Sequence, residues 1–171
     1  MQTWEAIQAR RNVRSFQDRP IAEDDLRRIM EAGWRAPSAN NRQRREFVVS
    51  TDREQLKALS TVWQHAGHVA SSAATVTLVL PVPDREVDVA LDQFDLGQAA
   101  ALMTLAAADL GIGSGHASVG DKDACRNILA IPDGFEPAYM LALGYPADRP
   151  LQPVRRPNRR PIDEVVHWGH W

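Results

Sequence analysis

The sequence predicts an α+β fold, a central sheet flanked by helices, on three observations. Two helical segments precede the first strand signal. The later helices and strands alternate irregularly, without the regular β-α-β repeat of a doubly wound sheet. The stretch from about Val87 to Leu110 contains A-A-A-L-M-T-L-A-A-A, a long helix apolar on nearly every side. Such a helix is buried, either in a core or against a second subunit. The chain has 171 residues, enough for one domain with its own core, and no repeat or linker divides it. A single domain over residues 1–171 is therefore expected.

The elements follow in order. Thr3 reads as the cap of a short helix that carries Trp4 and Ile7 at helical spacing and ends near Arg10–Arg11. After Pro20, A-E-D-D-L-R-R-I-M-E-A-G-W starts acidic, as a helix N-terminus prefers. Leu26, Ile29, Met30 and Gly33 share a face there, and Pro37 forces the stop. Glu46–Ser50 reads as a strand, and Asp52 opens an amphipathic helix with Leu56, Leu59 and Val62 or Trp63. Thr75–Leu80 (T-V-T-L-V-L), β-branched and closed by Pro81, is a buried strand. The long helix follows, and Gly111–Gly115 ends it. A further helix runs from Asp121 to about Ala130, Pro132-Asp133-Gly134 is a turn, and Ala138–Leu143 is a strand. From about residue 147, Pro150, Pro153, Pro157 and Pro161 make an extended tail that cannot fold by itself. It must lie across something, and a second subunit is a reasonable candidate.

Composition excludes several classes. A net charge of −2 argues against a general nucleic-acid binder. The charge is uneven: residues 1–50 carry ten Arg/Lys against seven Asp/Glu, residues 51–148 five against thirteen, and residues 149–171 five against two. Basic ends that meet in space make an anion site; basic ends that do not are two solvated surfaces. Cys125 is the only cysteine, so no intrachain disulfide forms, and a reducing cytoplasm is the expected location. The longest apolar runs, Ala73–Val82 and Ala99–Ala108, reach about half the ~18–20 residues of a membrane span. The N-terminus carries its charge after the apolar residues and lacks a signal-peptide core.

The usual catalytic motifs are missing. There is no G-x-x-x-x-G-K-[ST] loop, no H-E-x-x-H and no G-x-S-x-G elbow. G-I-G-S-G follows a helix rather than a strand and lacks the third glycine of a dinucleotide fingerprint. His65 and His68 stand three apart on an expected helix, but no carboxylate or cysteine completes a metal set, so a solvated helix face is the better reading. Cys125, within D-A-C-R-N-I-L, reads as a structural thiol. What remains is arginine, Gly/Ser/Asn loops and aromatics: Arg10, Arg11 and Arg14 at one end, Arg155, Arg156, Arg159 and Arg160 at the other. Guanidinium forks bind phosphate bidentately, and this inventory suits an anionic planar ligand whose own chemistry does the reaction.

The ordered set R-R-N-V-R-S-F, A-P-S-A-N-N-R-Q, the apolar helix into L-G-I-G-S-G, A-L-G-Y-P and R-R-P-I-D-E-V-V-H resembles the nitroreductase family of flavoproteins over nearly the whole chain. The resemblance implies an intertwined homodimer with FMN at the subunit interface, the apolar helix in the dimer core and the tail wrapped on the partner. It implies hydride transfer through flavin N5 from NADH or NADPH to a small oxidised acceptor such as a nitroaromatic or quinone, in a ping-pong cycle without a catalytic side chain. By matching position, Arg10, Arg11 and Asn12 resemble the phosphate and ribityl contacts, and Arg14 the basic residue near the pyrimidine end of the ring. Pro37, Ser38, Ala39 and Asn41 resemble the stretch that touches FMN from the other subunit. Ile112, Gly113 and Ser114 resemble the backbone beside the ring, and Arg159, with Arg160, the phosphate-binding arginine of the tail.

Three departures bear on the acceptor and reductant. Where the family often continues Asn-x-Gln-Pro-Trp, this chain has Arg44 and Arg45, which is expected to add charge near the cofactor. Little sequence lies between Leu80 and Asp88 for an extra helical excursion, and S-G-H-A-S-V-G lacks the aromatic often found after the glycine segment. Other activities of such flavoproteins (dehydrogenase, dehalogenase, flavin-cleaving or deazaflavin-dependent) and a non-catalytic flavin-binding module stay open at this point.

Overall fold

Two adjacent central strands organise the molecule, which is described for all 171 residues as a computed structural model. They are β2 (Ala74–Pro81) and β4 (Phe135–Gly144), flanked by β1 (Glu46–Ser50) and β3 (Gly113–Ser118) in the order β1-β2-β4-β3, every pair antiparallel. Val76 pairs with Leu141 and Thr75 with Ala142, and a register shift separates Leu78 from Val79. The helices are α1 (Thr3–Ala9), α2 (Glu23–Trp34), α3 (Arg53–Leu59), α4 (Glu86–Asp109) and α5 (Lys122–Leu129).

The burial of β2 from Ala74 to Leu80 follows from cover on both faces of the sheet. On one face, Val76, Leu78, Leu80, Leu141 and Leu143 pack with Ile29 of α2 and with Leu96 and Met103 of α4. On the other, Met140 and Ala142 pack with Leu56 and Leu59 of α3, Cys125 of α5, and Val13 and Phe16 of the N-terminal segment. The alternation of Met140, Leu141, Ala142 and Leu143 between the two clusters is the period-2 pleat made visible. Helices α2 and α4 approach closely because position 33 is glycine; a Cβ there would overlap Met103.

The caps Asp52 and Asp121 behave as expected, each accepting from a backbone N–H three residues on, at 2.9 Å from Gln55 and from Ala124. Cys125 is a buried thiol pushed up to about 11 by that burial and by Asp121. No helix is long and apolar enough to cross a membrane.

Several expectations need correction. Thr3 lies inside α1, whose flanking residue is Gln2; the Gln2 N–H donates to Glu5 Oε2 at 3.0 Å. G-I-G-S-G does not merely end α4: its second half begins β3. Glycines weaken strands and hide them from a propensity reading. They are required here because a Cβ on Gly115 would stand 2.2 Å from the Val13 carbonyl oxygen, and one on Gly113 2.6 Å from Val13 Cγ2. Helix α3 stops at Leu59, before Val62, and the Ser60 and Thr61 hydroxyls donate back to Lys57 O and Ala58 O. His65 and His68 therefore do not share a helix face, and His68 is buried in the short 3-10 turn Gly67–Ser71.

Arg45 is the least expected core residue, only 8% exposed. Its guanidinium donates to the carbonyls of Ala36, Pro37 and Trp34, the otherwise unmatched acceptors at the C-terminal end of α2. It does not add charge at the surface.

Two substitutions check this account. Gly115→Ala should lower stability by roughly 1–3 kcal/mol through overpacking against Val13, read from the urea midpoint. Arg45→Met should cost about 2 kcal/mol, because three carbonyls, that of Ala36 buried, lose a charged donor. Arg45→Met with wild-type stability would contradict the capping role.

Candidate functional site

Residues 10–14 leave α1 and run beside β3. The Val13 N–H donates to Ser114 O at 2.8 Å, and Asn12 bridges Ser114 in parallel register. Val13 enters the core, so its neighbours Asn12 and Arg14 face outward and are exposed, as is Arg10. Arg11 turns inward: its Nη2 donates to Asp148 Oδ1 at 2.6 Å and to Arg149 O at 2.8 Å, fixing the start of the tail. That guanidinium holds the Asp148 carboxyl below the usual carboxylate range. Arg10 and Arg14 have no ion pair and no hydrogen-bond acceptor.

Beside Arg10 a cavity of about 390 Å³ opens between α4 and the sheet. Leu78, Leu96, Ala100 and Ala101 give it an apolar wall; Gln93, Thr104, His116 and Tyr139 supply polar groups. That is the usual size and make-up of a small-molecule site. The His116 imidazole is held below its ordinary 6.5 by desolvation, then by Arg10 and Arg14. His68, behind Gly115, is lowered mainly by burial; the Gly115 backbone opposes the shift and Arg14 adds to it. The arginines thus set up a positive field that their own neighbours do not cancel.

The expected Pro37–Asn41 segment lies elsewhere. Ala39–Asn41 makes a 3-10 turn in which Asn40 and Asn41 have φ of 51° and 55°, and Gln43 follows at 53°. The Gln43 N–H donates to Ser38 Oγ at 3.0 Å. Three carboxylates of α4 hold this loop: Asp95 accepts from Ala39 N at 2.9 Å, Asp88 from Arg42 at 2.7 Å, and Asp92 from Arg44 Nε at 3.2 Å. Arg85 also pairs with Asp88, and with Arg42 it holds that carboxyl far below the usual range.

Helical spacing separates the two groups. Asp88, Asp92 and Asp95 recur at steps of four and three, while Gln93, Gly97, Ala101 and Thr104 recur on a stripe nearly opposite, given about 100° per residue. The loop and the Arg10 cavity therefore lie on opposite faces of α4 and do not meet within one chain.

The structure brings Arg10, Asn12 and Arg14 together with Gly113 and Ser114. It withdraws the Ile112 side chain into the core, and Gly113 and Ser114 are buried as well. The residue of β3 that reaches the cavity is His116, which the sequence reading passed over, as it did Tyr139. Alternation along β3 flags His116 once the strand is recognised. Arg159 and Arg160 lie on the tail beside Asn158, Ile162 and Val165, and do not line the cavity beside Arg10; Arg159 Nη1 donates only to Asn158 O. Arg44, expected to add charge near a cofactor, is paired with Asp92 and, at 3.9 Å, with Asp84. No group of three or more His, Cys, Asp and Glu converges as a metal would need.

The profile of the Nitroreductase family matches residues 7–80 and 71–145, most of the chain. This chain belongs to the nitroreductase family. A relative from Archaeoglobus fulgidus is 32% identical over 146 residues, covering 83% of this chain and 84% of its own. An FMN reductase (NAD(P)H) of Bacillus subtilis is 27% identical over 169 residues, 86% of this chain and 67% of its own. The crystal structure of a nitroreductase family protein from Clostridium difficile 630 superposes with a TM-score of 0.85 at 25% identity, over 100% of both chains. The irregular α+β order and the edge strand β3 are thus those of the nitroreductase fold.

Both depressed imidazoles give a pH dependence with a definite sign. Their folded pKa values lie below 6.5, so the unfolded chain binds more protons as the pH falls through that value. Stability should be fully present above about pH 6.5 and decline toward the folded pKa values. The urea midpoint should be lower at about pH 5.5 than at about pH 7.5, with a smaller difference in His68→Gln.

Proposed function

We propose that this nitroreductase-family chain is an FMN-dependent oxidoreductase, working as a homodimer in the cytoplasm. It takes hydride from NADH or NADPH and delivers it to a small oxidised acceptor such as a nitroaromatic or a quinone. The observation that carries this reading is the unpaired couple Arg10 and Arg14, flanking Asn12 on the rim beside β3. The name of the Bacillus subtilis relative supports the same cofactor and reductant.

The chain's residues fit that cofactor. Arg10 presents a free fork to a phosphate, with Arg11 beside it held by the tail. Asn12 offers a donor and an acceptor to the ribityl hydroxyls, and Arg14 favours negative charge at the pyrimidine end of the ring. When bound, FMN supplies the two-electron chemistry, so no nucleophile of the protein is needed. Ile112, Gly113 and Ser114 act chiefly by holding residues 12–14 in place, since Ser114 O already accepts from Val13.

The position of the loop supports the dimer. The loop of Pro37, Ser38, Ala39 and Asn41 is held, through Ala39, on the face of α4 opposite the arginine cavity, where it would serve the partner's site. Large apolar side chains stand in solvent on one chain: Phe94 of α4 at 70% exposure, Trp168 at 86% and Trp171 at 99%. A second copy would cover them, and the tail would reach it after its anchors at Arg11–Asp148 and Val154–Gln8. Docking of the tail is also what would carry Arg159 and Arg160 to a phosphate.

Purified protein should show flavin absorbance, bind added FMN, and oxidise NADH or NADPH only when an acceptor is present. Arg10→Gln should weaken FMN about tenfold, or about 1.4 kcal/mol, by flavin fluorescence titration. Protein that takes up no FMN even at saturating concentration would overturn the reading.

A further inference from the structure

We propose that Asp88 and Asp92 of α4 are positioning residues for the cofactor: their ion pairs with Arg42 and Arg44 hold residues 38–44 in the conformation that serves the flavin site. The inference rests on the functional reading above, in which this loop contacts FMN.

The loop cannot hold itself in place by burial. None of residues 37–44 is buried, so no apolar anchor fixes it. Its backbone is sterically disfavoured as well. The strain sits at Gln43: Asn40 and Asn41 also take left-handed φ, but asparagine tolerates that region, which most other side-chain-bearing residues rarely occupy. Within the loop, Ser38 Oγ accepts from Gln43 N and Asn41 O accepts from the Gln43 side chain. These bonds close the turn without tying it to the rest of the molecule. At its C-terminal end Arg45 grips the end of α2.

The connection to the body of the protein runs through α4. Asp88, Asp92 and Asp95 are 1%, 3% and 7% exposed and spaced four and three apart, so they form one buried acidic stripe beside the core-facing residues of the helix. The loop supplies a donor to each: Arg42 to Asp88, Arg44 to Asp92, and Ala39 N to Asp95. Arg85 reinforces Asp88. A buried carboxylate that loses its cation is strongly disfavoured, which makes the seated loop the stable state. The same helix lines the arginine cavity with its opposite face. One rigid rod thus sets the position of both halves of the binding surface.

The test uses full-length protein carrying Asp88→Asn, Asp92→Asn or Arg44→Gln, with Arg126→Gln, which breaks the distant Arg126–Asp133 pair, as a control. Three quantities are read: the FMN dissociation constant from flavin fluorescence, amide hydrogen exchange at residues 38–44, and the melting temperature without cofactor. The expected result is FMN binding weakened about tenfold in the loop and stripe variants, with faster exchange confined to residues 38–44. The control should match wild type, and the swap of Arg44→Asp with Asp92→Arg should recover affinity. Folded variants that keep wild-type FMN affinity overturn the inference while leaving the functional reading intact. A loss of affinity without faster exchange in the loop also overturns it. Wild-type protein that binds no FMN overturns the functional reading itself, and this inference with it.

Discussion

The contact between Val13 and β3 is the constraint on which the rest depends. It is an unusually intimate pairing: the Val13 amide bonds Ser114, and its carbonyl lies where a Cβ of Gly115 would be. Because Val13 is drawn into the core, Asn12 and Arg14 are turned out on either side of it. The glycines therefore matter first as space for a neighbouring strand. That space lets a basic segment lie flat along the sheet edge, where Arg10 and Arg14 have no partner in the chain.

Helix α4 is the second organiser, and it joins packing to chemistry. Leu96, Ala99, Met103 and Ala107 bury it in the core, while its remaining faces carry the acidic stripe, one wall of the cavity, and Phe94 in solvent. Only its second half, Ala99–Ala108, is apolar nearly all round. The acidic residues that interrupt its first half are the places where the Pro37–Arg44 loop is seated.

Much of this was legible in the chain. The bounds of β1, the caps Asp52 and Asp121, the extent of α4 and the extended tail follow from local rules of periodicity and capping, which tertiary contacts did not override. β3 was not legible, because its glycines answer to Val13, a residue about a hundred positions away. Arg45 was misread for a related reason. Arginine is ordinarily a surface residue, and only the open carbonyls at the end of α2 make its burial favourable. His68 was placed on a helix that ends early, and His116 was hidden with its strand. The arginines of the N-terminal motif were found by type and spacing. Which of them is free and which is tied to Asp148 is a fact of folding alone.

The separation of loop and arginine cavity by the width of one helix has a genetic consequence. In the shared arrangement proposed, each site is assembled from unlike pieces of two chains. A protomer defective at Arg10 and another defective in residues 38–44 would then combine into a dimer with one wholly intact site and one doubly damaged site. Two individually impaired alleles would complement each other, restoring up to half the sites in each mixed dimer. Sites built entirely within single chains would show no such rescue.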